Sequence, residues 1–178
     1  MKTYIAFLRG INISGKNKIA MSDLKLEFEK LGYADVKTYL NSGNVLFSTE
    51  VEAASKLRYD IEKMICDKMG LEIPVYVIAR DEILEILQDA PKWWGTDEKE
   101  KYHNMIFILS EDTPEEISHM IGPVLEGMEQ VQICENIIFW TFDRKTYQKC
   151  NWWKKTASEG IAEKLTIRTA NTIYKMCK

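Results

Sequence analysis

The chain has 178 residues, 46% of them apolar and 29% charged, and a formal net charge of −3. At this length folding buries roughly 70% of the unfolded surface, enough for a core without metal or disulfides. The composition excludes disorder, collagen-like repeats and a uniformly basic coat for nucleic acid.

Taken in chain order, Thr3–Leu8 is apolar and β-rich, and a long polar loop from Arg9 to Ala20 follows. Ser22 is an expected N-cap for a helix whose stripe is Leu24, Phe28 and Leu31, with Gly32 closing it. Val36–Leu40 and Val45–Ser48 read as strands joined by Asn41-Ser42-Gly43-Asn44, a sequence with hairpin-turn chemistry. Ala54, Leu57, Ile61, Met64 and Ile65 recur at helical spacing up to Gly70, and Val75–Ala79 is a further strand. This order, β-α-β-β-α-β, is the ferredoxin-like unit.

Asp81–Gln88 reads as a connecting helix and Pro91–Lys101 as a polar linker. Met105–Leu109 is a strand, and Thr113-Pro114-Glu115-Glu116 carries the signals of a helix start. Gln130–Cys134 and Ile137–Phe142 form a hairpin over Glu135-Asn136, and helical sequence runs from there to the end. The expected fold class is therefore α+β, two ferredoxin-like halves with antiparallel sheets, the second lacking its last strand and ending in helices. The expected domains are residues 1–80, a connecting segment 81–101, and residues 102–178.

The four cysteines, Cys66, Cys134, Cys150 and Cys177, show no C-x-x-C pairing, and the chain has two histidines, His103 and His119. No metal site and no cofactor is expected from such spacing. Buried, reduced thiols and a cytoplasmic location are expected, since no signal peptide or membrane-spanning apolar run is present. His103, ahead of a strand, and His119, late in a helix, read as surface or capping residues rather than catalytic bases. No G-x-S-x-G elbow exists, so no reaction class is legible and an enzymatic role stays open.

In a β-α-β-β-α-β unit the loop after strand one and the turn between strands two and three lie at the same end of the sheet. Arg9–Ala20 is therefore expected beside Asn41–Asn44, with Arg9, Lys16 and Lys18 as cations. Within the loop, Gly10 to Lys16 matches G-x-x-x-x-G-K, the phosphate-cradling spacing. A magnesium-dependent nucleotide loop is disfavoured because Asn17 replaces the metal-binding hydroxyl, the next helix starts about five residues later, and the sheet is antiparallel. The alternatives are an anion-binding loop without magnesium, or an Asn/Gly loop bonded to its own backbone.

Charge is partitioned along the chain: +3 over residues 1–49, −13 over 50–143 and +7 over 144–178. In the basic C-terminal part, Arg168, Asn171, Thr172 and Lys175 follow helical i, i+3, i+4, i+7 spacing from a cap at Thr166. Lys149, Lys154 and Lys155 flank Trp152-Trp153, a mixture that suits stacked single-stranded nucleic acid or, more commonly, half-buried packing. Val45-Leu46-Phe47 does not reproduce the RNA-recognition-motif pattern.

Phe7 to Asn17, then Met21, Leu24, Leu31-Gly32-Tyr33, Val36, Thr38-Tyr39 and Asn41 to Val45 resemble the bacterial family called domain of unknown function 1697. The resemblance continues to Thr166-Ile167-Arg168, Asn171-Thr172 and Lys175, although Thr169 stands where the family commonly has Asn. It implies a cytoplasmic protein of two ferredoxin-like halves and no known activity.

The candidate ligand-binding residues are Arg9, Asn12, Lys16, Asn17, Asn41, Ser42, Asn44, Arg168, Asn171, Thr172 and Lys175. The leading expectation is a small anionic ligand, a nucleotide or phosphorylated metabolite, in a polar cationic cleft. Nucleic-acid binding on the same surface is one alternative. Docking between halves or subunits without a ligand is the other. No membrane partner is expected, and the oligomeric state is not legible.

Overall fold

The computed structural model describes all 178 residues. It divides into two compact units, Met1–Leu84 with Met176–Lys178, and Glu85–Lys175.

In the first unit the elements are β1 (Lys2–Leu8), α1 (Met21–Lys30), β2 (Ala34–Tyr39), β3 (Asn44–Thr49), α2 (Ala54–Met69) and β4 (Val75–Ala79). Helix α3 (Arg80–Gln88) follows. The sheet order is β2-β3-β1-β4 and each pairing is antiparallel. Alternation explains the core: Tyr4, Ala6 and Leu8 of β1 lie with Val45 and Phe47 of β3 against Leu24 and Phe28 of α1 and Leu57, Ile61 and Ile65 of α2. Gly70 closes α2 in the left-handed conformation expected of a C-terminal glycine. Ser22 does not cap α1. The helix starts two residues earlier, at Met21 behind Ala20, with no side-chain cap, because Leu24 N–H already bonds to Ala20 O at 3.0 Å.

The second unit contains β5 (Lys101–Ile108), α4 (Pro114–Ile121), β6 (Glu129–Cys134), β7 (Ile137–Asp143), α5 (Asn151–Thr156), β8 (Leu165–Thr169) and, up to Lys175, α6 (Ala170–Cys177). Its sheet order, β6-β7-β5-β8, repeats the first with every pairing antiparallel. The α+β class with two ferredoxin-like sheets therefore holds, with one correction: the second half has its last strand. Leu165–Thr169 pairs with β5, Met105 opposite Arg168. The segment is rich in β-branched residues (Thr166, Ile167, Thr169), which suit a strand filling the open edge of β5.

Helix α4 opens with the expected capping box between Thr113 and Glu116. Buried Glu129 on β6 anchors the next helix: its Oε1 accepts from the N–H groups of Leu125 at 2.8 Å and Asn151 at 2.9 Å. Trp152 is fully buried and donates Nε1–H to Gly122 O at 2.9 Å. Trp94 in the linker is also core rather than polar surface, donating to Asn104 O at 2.7 Å. The expectation of buried thiols holds only for Cys150. Cys66 is exposed, and Cys134 and Cys177 are half-buried. No helix is long and apolar enough to cross a membrane.

Candidate functional site

The loop from Arg9 to Ala20 and the turn from Asn41 to Asn44 meet at one end of the first sheet. Leu8 N–H donates to Gly43 O at 2.8 Å, and Asn12 Nδ2 donates to Asn41 O at 2.9 Å. Gly43 makes this approach feasible. A Cβ at that position would fall 2.7 Å from Leu8 Cβ.

The asparagines hold the loop's own shape. Asn12 Nδ2 also donates to Ile19 O at 2.9 Å, while its Oδ1 accepts from Ile19 N–H at 2.8 Å. Asn17 Nδ2 donates to Gly10 O at 2.9 Å, and Asn12 N–H bonds to Asn17 O at 3.1 Å. Asn44 is fully buried and donates to Tyr39 O at 2.7 Å and Ser42 Oγ at 3.1 Å. Asn12, Ser14, Gly15 and Asn17 have positive φ, whereas Ile13 and Lys16 do not. Asparagine and glycine tolerate that region best, which accounts for their density here.

What remains outward is basic. Lys16 and Lys18 are exposed and make no ion pair, and the N–H groups of Ser14 and Gly15 meet no protein acceptor. Arg9 is half-buried, with its N–H bonded to Pro74 O at 2.9 Å. Asn41 and Ser42 are exposed on the turn.

The C-terminal candidates differ from their expected arrangement. Arg168 is in β8, not in the first turn of a helix, and Thr166 is a strand residue rather than a cap. The Arg168 guanidinium is buried and donates to Thr166 Oγ1 at 3.0 Å and Ile167 O at 2.9 Å. Burial pulls its pKa down to about 10. Thr172 is buried at the start of α6, its hydroxyl 3.2 Å from Thr169 Oγ1. Only Asn171 and Lys175 lie on an exposed helical face. The four residues therefore do not share one helix face, because the strand-to-helix change falls between Thr169 and Ala170. They belong to the second unit, the loop and turn to the first.

Sequence reasoning missed a polar pocket of about 260 Å³ within the second unit, lined by Thr96, Glu98, Lys101, Tyr102, His103 and Arg144 among others. His103 is not a surface residue. It is buried within β5, with Nε2 3.1 Å from Thr96 Oγ1 and Nδ1 2.8 Å from Thr141 Oγ1. Thr96 gives its hydroxyl proton to Glu98 Oε1 at 3.3 Å. With that proton donated to Glu98, the Thr96 oxygen accepts from His103, an arrangement that puts the ring proton on Nε2 and lets Nδ1 accept from Thr141; the other tautomer reverses both bonds. Glu98 in turn pairs with Lys101 at 2.9 Å, and the Lys101 hydrogen bond holds its carboxyl below the ordinary value. The available signal was the polar pair His103-Asn104 inside an otherwise apolar strand. No group of three or more His, Cys, Asp and Glu residues is arranged to hold a metal ion.

Among solved structures, the conserved bacterial protein SP0830 from Streptococcus pneumoniae is similar over 99% of this chain and 97% of its own, with a TM-score of 0.85 and 25% sequence identity. No protein with a curated description matches. A family profile matches residues 1–139, which takes in the loop and the Asn41–Asn44 turn and stops short of Arg168. The chain belongs to that family, described as Protein of unknown function (DUF1697).

Proposed function

We propose that the Arg9–Lys18 loop of the first unit binds a small anionic ligand of the class of nucleotides and phosphorylated metabolites. The observation that carries this reading is the combination of a braced backbone and unpaired positive charge. Asn12 and Asn17 spend their side chains on the loop's own frame, while Lys16, Lys18 and the Ser14 and Gly15 N–H groups have no protein partner. Asn12, Ser14, Gly15 and Asn17 all have positive φ, and left-handed residues among right-handed ones are an ingredient of the backbone forms that hold anions through their N–H groups. Under this reading Lys16 and Lys18 contact the anion, Arg9, Asn41 and Ser42 border it, and Asn12, Asn17 and Asn44 are positioning residues.

A docking role without ligand draws support from the same saturated asparagines, and one experiment separates the two. Inorganic pyrophosphate and AMP are titrated calorimetrically into the native chain and into the Lys16→Gln/Lys18→Gln double variant. Saturable binding to the native chain, with a higher melting temperature in the presence of probe, is expected. The double variant should keep the native melting temperature and bind at least tenfold more weakly. No heat with either probe, or equal affinity in the double variant, overturns the reading.

A further inference from the structure

From Arg144 to Ser158 the chain carries Arg144, Lys145, Lys149, Lys154 and Lys155 and no acidic residue. All five cations are exposed, and only Lys145 is in an ion pair, with Glu100 at 3.0 Å on the open surface. Aromatic rings lie among them. Trp153, 39% exposed, meets Tyr147 edge to face at 4.9 Å between centroids. Tyr147 stands 6.4 Å from Phe142, and Phe142 stands 5.2 Å from Tyr102. Tyr102 is 38% exposed, with the Arg144 guanidinium 4.1 Å from its ring centre.

The folding of α5 explains why these groups face outward. Glu129 and Gly122 fix Trp152 inside the second unit, so its neighbours Trp153, Lys154 and Lys155 are delivered to the surface. A partly exposed indole on a helix that also carries the exposed Lys154 and Lys155 suits a partner that is flat, apolar on its face and anionic at its edge. Nucleobases on a phosphate backbone have this combination, and stacking on aromatic side chains tolerates any base. A double helix hides its base faces, so the chemistry selects single strands.

We infer that the face formed by Tyr102, Arg144, Tyr147, Trp153, Lys154 and Lys155 binds single-stranded nucleic acid, stacking bases on Trp153 and Tyr147 and pairing phosphates with the lysines. It is independent of the anion loop, whose residues lie in the first unit.

Fluorescence anisotropy tests it, with labelled twelve-nucleotide oligo-dT and oligo-U at about 50 mM salt. Binding of one or both is expected, and the two arms tell DNA from RNA. Affinity should fall with salt, each phosphate contact adding about 0.7 to the log–log slope. Trp153→Ala should weaken binding about tenfold, as loss of one stacked base does. Lys154→Glu/Lys155→Glu, at exposed positions, gives a second variant if the first alters the melting temperature, and should reduce both affinity and salt slope. Lys37→Gln, at an exposed position outside both sites, should bind the oligonucleotides as the native chain does. No binding at low salt, binding unaffected by both variants of the face, or displacement by an equal charge concentration of inorganic polyphosphate with no effect of Trp153→Ala overturns the inference.

Discussion

An alanine at position 43 would set its Cβ 2.7 Å from Leu8 Cβ and 2.8 Å from Ile11 Cδ1, on a residue with φ of +85°. Both costs fall on one substitution: left-handed strain and overpacking against the strand that carries the loop. Gly43→Ala should destabilise the protein by about 2–4 kcal/mol in urea unfolding. Gly10→Ala shares the positive φ but meets open space, and should cost only about 1–2 kcal/mol. Equal losses in the two variants would show that the turn does not press on β1. His103 offers a pH test. Burial, the largest influence, pushes its pKa below the ordinary 6.5; Glu98 pulls it up and Lys101 down. The folded chain therefore resists a proton that the unfolded chain accepts. Stability should be full above about pH 6.5 and fall as the pH drops from there through the folded-state value. His103→Gln should flatten the urea midpoint between pH 5 and 7. An unchanged slope in the His103 variant would show that this imidazole does not set the pH dependence.

Periodicity revealed most elements where a stripe or alternation had one interpretation. Leu57, Ile61 and Ile65 admit only a helix, and Gly70 marks its end as the structure has it. The loop-to-turn contact followed from connectivity alone, since two successive up-strands bring their ends together, and Asn12 to Asn41 is the bond that realises it. β8 was illegible for a physical reason. Arg168, Asn171, Thr172 and Lys175 satisfy helical spacing by coincidence, and five residues of Leu165–Thr169 cannot outweigh that in a local reading. What decides the matter is the unpaired edge of β5, which exists only once β5 and β7 have paired. The same tertiary demand moved Arg168 from a polar helix face into a strand, where its guanidinium is buried. The pocket around His103 was hidden likewise. Thr96, His103 and Thr141 are 45 residues apart at their extremes, and only the register His103 opposite Thr141 brings two of them together. The roles of the loop asparagines were legible as alternatives, and their hydrogen bonds favour bracing over direct ligand contact for Asn12, Asn17 and Asn44.

At the scale of the molecule, a net charge of −3 would suggest uniform repulsion from polyanions, yet folding does not average the charge. Most ion pairs are local, joining residues three or four apart on the same segment, as in Lys56–Asp60, Lys63–Asp67 and Lys101–Glu98. They occupy cations of the acidic middle on that stretch's own carboxylates, and the middle keeps its net charge of −13. The basic C-terminal stretch sends Lys164 to Asp112 and Lys145 to Glu100, and leaves Lys149, Lys154 and Lys155 without ion pairs. A field from such a cluster is felt within about a Debye length, roughly 10 Å at 0.1 M salt, so a polyanion can bind it without sensing the total. The native protein should therefore be retained at pH 7.5 by an anion exchanger, through its net charge, and also by immobilised heparin, through the local cluster. Lys154→Glu/Lys155→Glu should elute earlier from heparin and later from the anion exchanger. Lys37→Gln/Lys68→Gln, at exposed positions outside both proposed sites, removes fewer units of charge and leaves the cluster whole, so its heparin elution should stay near that of the native chain. If the two double variants shift equally on heparin, overall charge governs adsorption and the cluster has no separate identity.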